Sequence, residues 1–270
     1  MKRFISAVLC LAMLFCLVSC GNSSTSVAEN SNVKETASAD SADSIASTGK
    51  TIKIMPLGDS LTAGYPDTCA YRNYLCETLL EKGYNFMFVG PYTTPADRIE
   101  RYKFPEGYTN HAGVGGRTIQ GILDAADTIF TEEYKPDVIM LMITTNDFGQ
   151  GYLDEQIEEL YRELVATIFR AYPDVVLYAA NPIPKRTAYN EIVELDARVV
   201  NWEIPFLKQI AEDKQANGFE MHYVNMTNEV LNFTYEDIRE DDKIHPTDSG
   251  NIKLANAWFN AIKPTLDELS

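Results

Sequence analysis

The middle of the chain contains the run Asp137-Val138-Ile139-Met140-Leu141-Met142-Ile143, in which six apolar residues follow one acid. A strand with one face in water alternates polar and apolar residues, whereas a strand covered on both faces is apolar throughout. Continuous apolar strands are typical of parallel sheets with helices packed on both sides. The run therefore predicts a central strand of an α/β sheet.

Strand and helix patterns alternate on either side of this run. We predict further strands at 51–57, 85–89, 174–180 and 220–225, and helices at 71–82, 118–130, 153–171, 196–216 and 248–262. This alternation implies right-handed crossovers and a parallel sheet. We expect a three-layer α/β/α sandwich with a five-stranded parallel sheet in a flavodoxin-like order. Ligands bind such sheets beyond the carboxyl ends of the strands, so catalytic groups should follow strands one, three and five.

The composition fits one α/β domain with a segment left over at the N-terminus. The chain has 270 residues, of which 45% are hydrophobic and 23% charged, and its formal net charge is -16. Nucleic-acid and acidic-membrane surfaces are bound by clustered Lys and Arg. We therefore expect no nucleic-acid partner.

The N-terminus has the features of an export signal. Met1-Lys2-Arg3 is followed by an apolar stretch at 4–18, too short for a comfortable membrane span, and then by Ser19-Cys20-Gly21. This ending resembles the bacterial lipobox, which implies that Cys20 becomes the lipid-modified first residue of the mature protein. The alternative is an ordinary secretory signal cleaved nearby. We expect an exported protein anchored to the cell membrane by lipid, on the extracellular face or in the periplasm.

Residues 20–50 are rich in Ser, Ala, Thr, Asn and Asp and contain no aromatic residue. Such a segment buries too little apolar surface to offset its ordering entropy, so we expect a disordered tether. The predicted organisation is a lipoprotein signal peptide at 1–19, this tether at 20–50 and a folded domain at 51–270.

The folded domain contains two cysteines, Cys69 and Cys76. A helix at 71–82 would separate them by about two turns, beyond the roughly 7 Å between Cα atoms that a disulfide tolerates. We favour two reduced, partly buried thiols, with a disulfide as the alternative in an exported protein. No cysteine–histidine cluster suggests a metal.

Two polar motifs come directly after the predicted strands one and three, and a third lies just before the last predicted helix. They are Gly58-Asp59-Ser60-Leu61-Thr62, Thr144-Thr145-Asn146-Asp147 and Asp242-Lys243-Ile244-His245-Pro246. The glycine permits a tight exit from the first strand, which leaves the Ser60 hydroxyl over the edge of the sheet. Asn146 can donate to an oxyanion, and Asp147 can accept from nearby backbone. Either motif can also be an ordinary turn.

The third motif supplies a candidate base. Asp242 and His245 are three residues apart, so in a turn or helix the carboxylate can bond one ring nitrogen and leave the other free. Among the three histidines, His245 alone has an acid at this distance. We expect His222, inside a predicted strand, to be a packing residue. His111, in a glycine-rich loop, stays open.

Taken together, the motifs resemble those of the SGNH hydrolases, also called the GDSL esterases. The Ser60, Asn146 and Asp242–His245 blocks match in order, and the segment Gly113-Val114-Gly115-Gly116 stands where that family supplies an oxyanion glycine. The resemblance places that glycine at Gly116, with Gly115 as the alternative, and covers about 51–265. It implies the flavodoxin-like SGNH hydrolase fold.

Finer features are similar to the branch that includes the family 3 acetylxylan esterases. They are Tyr71-Arg72-Asn73-Tyr74-Leu75, Phe88-Val89-Gly90 and His111-Ala112-Gly113. Three positions depart from the usual pattern: Thr144 replaces a glycine, so that the pocket floor should gain a side chain, and Ala112 and Val114 replace polar residues. These departures bear on the substrate more than on the chemistry.

The resemblance implies a serine esterase that needs no cofactor. Ser60 is the expected nucleophile, His245 its base and Asp242 the group that orients the imidazole. The Ser60 and Gly116 N–H groups and the Asn146 amide would bind the oxyanion. The expected substrate is an acylated carbohydrate, with acetyl groups on plant or cell-wall polysaccharide.

Three alternatives stay open at this point. One is a lysophospholipase or thioesterase of the same family. A second is a non-catalytic, carbohydrate-binding surface lipoprotein, which the departure at Thr144 favours. A third is a metal site built from Asp59, Asp147 and His245.

Overall fold

The computed structural model describes residues 49–187 and 193–270. The predicted signal peptide, the lipid site Cys20 and residues 21–48 of the predicted tether lie outside these ranges. No helix in the described part of the chain is both long enough and apolar enough to span a membrane.

Nine strands and ten α-helices make up the described fold. The strands are β1 Ile52–Gly58, β2 Phe86–Phe88, β3 Tyr92–Thr93, β4 Asn110–Gly113, β5 Val138–Met142, β6 Val176–Ala180, β7 Lys185–Arg186, β8 Val193–Glu194 and β9 Met221–Val224. The helices are α1 Ser60–Ala63, α2 Arg72–Glu81, α3 Ala96–Tyr102, α4 Ile119–Leu123, α5 Ala126–Ile129, α6 Thr145–Gly149, α7 Asp154–Ala171, α8 Ile204–Ala216, α9 Asn228–Leu231 and α10 Asp248–Leu269. A π-helical turn, Val199–Glu203, leads into α8, and a 3₁₀ turn, Tyr235–Asp237, precedes the last loop.

The main sheet has seven strands in the order β3-β4-β1-β5-β6-β9, with β2 also paired to β1. The five predicted strands are β2, β1, β5, β6 and β9, which run parallel in the expected flavodoxin-like order. The predicted count of five is wrong, because β4 pairs with the carboxyl end of β1 and β3 pairs antiparallel with β4. Both added strands are too short to show a sequence pattern.

Strand β5 divides the core into two halves, as its composition predicts. Val138, Met140 and Met142 contribute to the core under α2 and α10. Ile139 and Leu141 contribute to the core under α4, α7 and α8 on the other face. All five side chains are fully buried. The three-layer α/β/α architecture is confirmed.

Three helices differ from their predicted bounds. The helix predicted at 118–130 is interrupted between α4 and α5. The helix predicted from 196 begins with the π-helical turn, in which the Ile204 N–H donates to the Val199 carbonyl, and Pro205 follows as the second residue of α8. Helix α10 continues past Pro264 because Leu266 beyond it is fully buried in the core.

The thiols of Cys69 and Cys76 are both free and buried, as favoured from the sequence. Cys76 lies on α2, and Cys69 lies in the loop before it.

Candidate active site

The nucleophile candidate lies where β1 turns into α1. A Cβ atom at Gly58 would come within 2.1 Å of the Met142 carbonyl oxygen on β5, so only glycine fits between these strands. Asp59 caps α1 by accepting a hydrogen bond from the Leu61 N–H at 2.9 Å. Ser60 then begins the helix and is 8% exposed. Its hydroxyl therefore occupies the carboxyl edge of the sheet.

The structure brings Ser60, His245 and Asp242 together. Ser60 Oγ lies 2.7 Å from His245 Nε2, although 185 residues separate them in sequence. His245 Nδ1 lies 2.9 Å from Asp242 Oδ2. The three side chains form a continuous hydrogen-bonded relay, and the spatial requirement of the sequence analysis is met.

Hydrogen bonds within residues 239–245 hold the turn that carries Asp242 and His245. Asp242 Oδ1 accepts hydrogen bonds from the Ile244 and His245 N–H groups, both at 2.9 Å. The Arg239 N–H donates to the His245 carbonyl at 2.8 Å. Burial opposes ionisation of Asp242, but these backbone bonds and His245 hold its pKa below the usual value. Asp242 is therefore a carboxylate at neutral pH.

The glycine-rich loop passes beside the nucleophile. The Val114 N–H donates to the Gly58 carbonyl at 3.1 Å, and a Cβ atom at Gly115 would lie 3.9 Å from Ser60 Cβ. Gly116 has a φ of +75°, a left-handed conformation that favours glycine, whereas space around it is open. Gly115 is thus placed beside Ser60, and the assignment of the oxyanion donor to Gly116 stays a prediction.

Asn146 joins the nucleophile turn to this loop. Its amide Nδ2 donates to the Arg117 carbonyl at 2.9 Å and to Asp59 Oδ2 at 3.3 Å. Asn146 lies on α6, directly after β5, and is half-buried. The amide is therefore held at the same sheet edge as Ser60 with both of its N–H groups bonded. To serve as an oxyanion donor it would exchange the longer of the two bonds, to Asp59 Oδ2, for the oxyanion.

Two buried acids support these elements. Asp147 accepts the Ile119 N–H at 3.1 Å, which confirms its predicted use as a backbone acceptor. Burial raises the pKa of Asp147 to about 6. Burial also raises the pKa of Asp59 to about 7, although the Leu61 N–H bond opposes this and the charge of Asp147 adds to it. Within residues 49–187 and 193–270, neither acid forms an ion pair with a cation that would keep it ionised.

Residues 57–251 match the model of the GDSL-like lipase/acylhydrolase family. The chain belongs to this family. The resemblance drawn from the motifs is therefore confirmed, and with it the predicted enzyme class, a hydrolase of ester bonds.

The chain is also similar to a curated esterase in sequence and to solved esterase structures in fold. A multidomain esterase from Ruminococcus flavefaciens is 30% identical over 254 residues, which cover 83% of this chain and 30% of that protein. The chain thus spans less than a third of that relative. A family 3 carbohydrate esterase from Clostridium thermocellum superposes with a TM-score of 0.64 at 25% identity, covering 82% of this chain and 99% of the other. The corresponding enzyme from Talaromyces cellulolyticus gives 0.65 at 23% identity, covering 82% and 100%, and supports the fold.

Thr144 does not line the pocket floor, although its place in the sequence predicted a side chain there. Thr144 adopts a φ of +92°, where the family usually has glycine, but its side chain is fully buried and adds nothing to an exposed pocket floor. Thr144 Oγ1 donates to Glu203 Oε1 at 2.6 Å. Burial raises the pKa of Glu203 well above its usual value, although the Thr144 bond opposes this. Glu203 escaped the sequence analysis because an acid on a helix is ordinarily solvent-exposed.

The other two histidines, His111 and His222, make packing and hydrogen-bond contacts outside the Ser60–His245 relay. His111 is 4% exposed, and its Nδ1 accepts the Gly113 N–H at 3.2 Å. Burial lowers the pKa of His111 to about 2, so its ring stays neutral. His222 stacks on Tyr178 with ring centroids 5.0 Å apart, as its expected packing role requires.

The described residues contain no group of three or more His, Cys, Asp or Glu side chains arranged to hold a metal ion. The alternative that combined Asp59, Asp147 and His245 in a metal site is therefore wrong. These residues serve separate hydrogen bonds: Asp59 caps α1, Asp147 accepts from α4, and His245 contacts Ser60.

Tyr65 is a second residue of this region that the sequence did not point to. Its ring lies over His245, with centroids 4.4 Å apart and planes tilted by 33°. Tyr65 follows Ser60 by five positions, and this closeness in sequence is the only sign of its role that the sequence offers.

Proposed function

We propose that the protein is an exported serine esterase that removes acetyl groups from carbohydrate, with Ser60 as nucleophile, His245 as general base and Asp242 as its orienting carboxylate. One observation carries the proposal. The distances of 2.7 Å and 2.9 Å link hydroxyl, imidazole and carboxylate in the order that acyl transfer needs.

The proposed reaction has two halves. His245 Nε2 takes the Ser60 proton as Oγ attacks the ester carbonyl, and then returns that proton to the leaving alcohol. Water repeats the sequence on the acyl-enzyme and releases acetate. The N–H groups of Ser60 and Gly116 and the Asn146 amide stabilise the tetrahedral oxyanion, each donor contributing about 3 kcal/mol.

The size of the neighbouring cavity favours a short acyl group. A mostly apolar cavity of about 30 Å³ is lined by Leu61, Thr145 and Ile244, each the direct neighbour of a site residue, and by Phe148 and Ile183 among others. One water-sized sphere occupies about 10–15 Å³, so this cavity has room for about two such spheres, which suits an acetyl group. This favours acetyl esters over the lysophospholipase or thioesterase alternative.

The carbohydrate part of the proposal rests on similarity to family 3 carbohydrate esterases. Lipid attachment at Cys20 and a tether at 20–50 would hold the enzyme outside the cell, where polysaccharides too large to import are found. Export and anchoring are proposed from the sequence of residues 1–50.

The decisive experiment compares four proteins: wild type, Ser60→Ala, His245→Ala and, as a matched control, His222→Ala on β9. Acetate release is measured from p-nitrophenyl acetate and acetylated xylan, together with labelling by a fluorophosphonate. Ser60→Ala and His245→Ala should be inactive, Ser60→Ala should also escape labelling, and His222→Ala should behave as wild type. Full activity in Ser60→Ala would end the proposal. A wild type that is neither labelled nor active would favour the non-catalytic carbohydrate-binding alternative.

A further inference from the structure

An exposed aromatic ring lies directly beside the proposed base. Tyr65 is 47% exposed, yet its ring centroid lies 4.4 Å from that of His245. Large aromatic side chains stabilise a fold most when they are buried, so the half-exposed Tyr65 ring contributes little to stability from its open part. Part of the ring rests on the imidazole, and the rest is open to solvent.

The loop that carries Tyr65 is held in place by one arginine. Arg98 Nη1 donates to the carbonyls of Gly64 at 3.1 Å and Thr68 at 3.3 Å, and Nη2 donates to that of Pro66 at 2.8 Å. Three charge-assisted bonds to one short loop fix its backbone. The position of the ring is therefore preorganised and loses little freedom when a ligand packs on it.

Charged side chains connect this loop to the relay. Asp67, half-exposed, lies 4.0 Å from Arg239 Nη1. Arg239 also bonds Asp241 at 2.7 Å and approaches Asp242 Oδ2 at 3.7 Å. Carboxylates and a guanidinium supply the acceptors and donors that sugar hydroxyls require. An aromatic ring with polar groups at its margin is a common arrangement for ligand recognition.

We propose that Tyr65 is the stacking platform for the sugar ring that carries the ester, which deepens the proposed function and rests on it. His245 must return its proton to the leaving alcohol, so the sugar oxygen has to lie beside His245 Nε2. The acetyl group occupies the small apolar cavity by Leu61 and Ile244. A sugar in that position lies beside the Tyr65 ring, and its apolar C–H face packs on the open part of the phenol.

The test uses two acetyl esters that differ only in the leaving group: acetylated xylo-oligosaccharide and ethyl acetate. Tyr65→Leu should lower kcat/KM for the sugar ester about tenfold, mainly through KM, and should lower kcat/KM for ethyl acetate by a clearly smaller factor. Tyr65→Phe, which keeps the ring, should restore the sugar ester. Tyr84→Leu is the matched control, because Tyr84 lies before β2 at the opposite edge of the sheet and packs on Phe259.

A binding measurement separates this inference from the esterase proposal. Calorimetry with unacetylated xylo-oligosaccharide and the Ser60→Ala background should show a dissociation constant about tenfold weaker when Tyr65→Leu is added. That result would sustain the platform even if no ester were cleaved. Equal losses on both esters would assign Tyr65 to orienting His245 and overturn the inference, as would unchanged kinetics and unchanged binding.

Discussion

The Asp242→Asn substitution tests the relay with little change in shape. In the folded protein, Asp242 Oδ1 accepts from the Ile244 and His245 N–H groups, both at 2.9 Å. An asparagine can accept both bonds through its single carbonyl oxygen. Its amide nitrogen must then take the place of Oδ2, 2.9 Å from His245 Nδ1.

The consequence follows from the direction of one hydrogen bond. An NH₂ group donates, so Nδ1 has to offer its lone pair, and the ring proton moves to Nε2. Nε2 then points an N–H at Ser60 Oγ, 2.7 Å away, and can no longer accept the hydroxyl proton. Loss of the correct tautomer costs about 10⁴ in kcat in the best-studied triad. A factor of 10⁴ corresponds to about 5 kcal/mol of transition-state stabilisation.

The assay is the steady-state hydrolysis of p-nitrophenyl acetate, with thermal unfolding as a check on folding. The matched control is Asp241→Asn, because Asp241 is the adjacent acid, is 64% exposed and bonds Arg239 instead of the imidazole. Asp241→Asn should retain its rate, and Asp242→Asn should unfold near the wild-type temperature. An Asp242→Asn enzyme that keeps a tenth or more of wild-type kcat/KM would refute the assigned role.

Two further predictions concern the surroundings of the nucleophile. Asn146→Ala removes one oxyanion donor and should lower kcat on p-nitrophenyl acetate by about 10²–10³ with little change in KM; an unchanged kcat would contradict this role. Asp59 has a pKa of about 7 when folded, above its ordinary value, so the folded state holds an extra proton between about pH 4 and 7. Stability to urea should therefore fall as the pH rises from 5 to 8, with about 3 kcal/mol of the fall due to Asp59. Asp59→Asn should remove that part of the slope and leave the parts due to Asp147 and Glu203, whose pKa values burial also raises. Parallel profiles for the two proteins would exclude Asp59 as the source.

The core of the sheet could be predicted because its signals are local. A strand buried on both faces has to be apolar throughout, and residues 137–143 meet that demand without reference to any other part of the chain. Strands β3 and β4 could not be predicted, because the two strands have only two and four residues. Their pairing depends on the position of β1, which local sequence does not encode.

The candidate active site likewise has features that local sequence predicted and features that only tertiary packing decided. The sequence by itself determined the chemistry-bearing residues, because Asp242 and His245 share one short turn and because parallel strands bring their carboxyl ends to one edge. The contact of Ser60 with His245, and those of Tyr65 with His245 and Thr144 with Glu203, were decided by tertiary structure alone. Each joins segments more than fifty residues apart, and such contacts form only after the layers have packed.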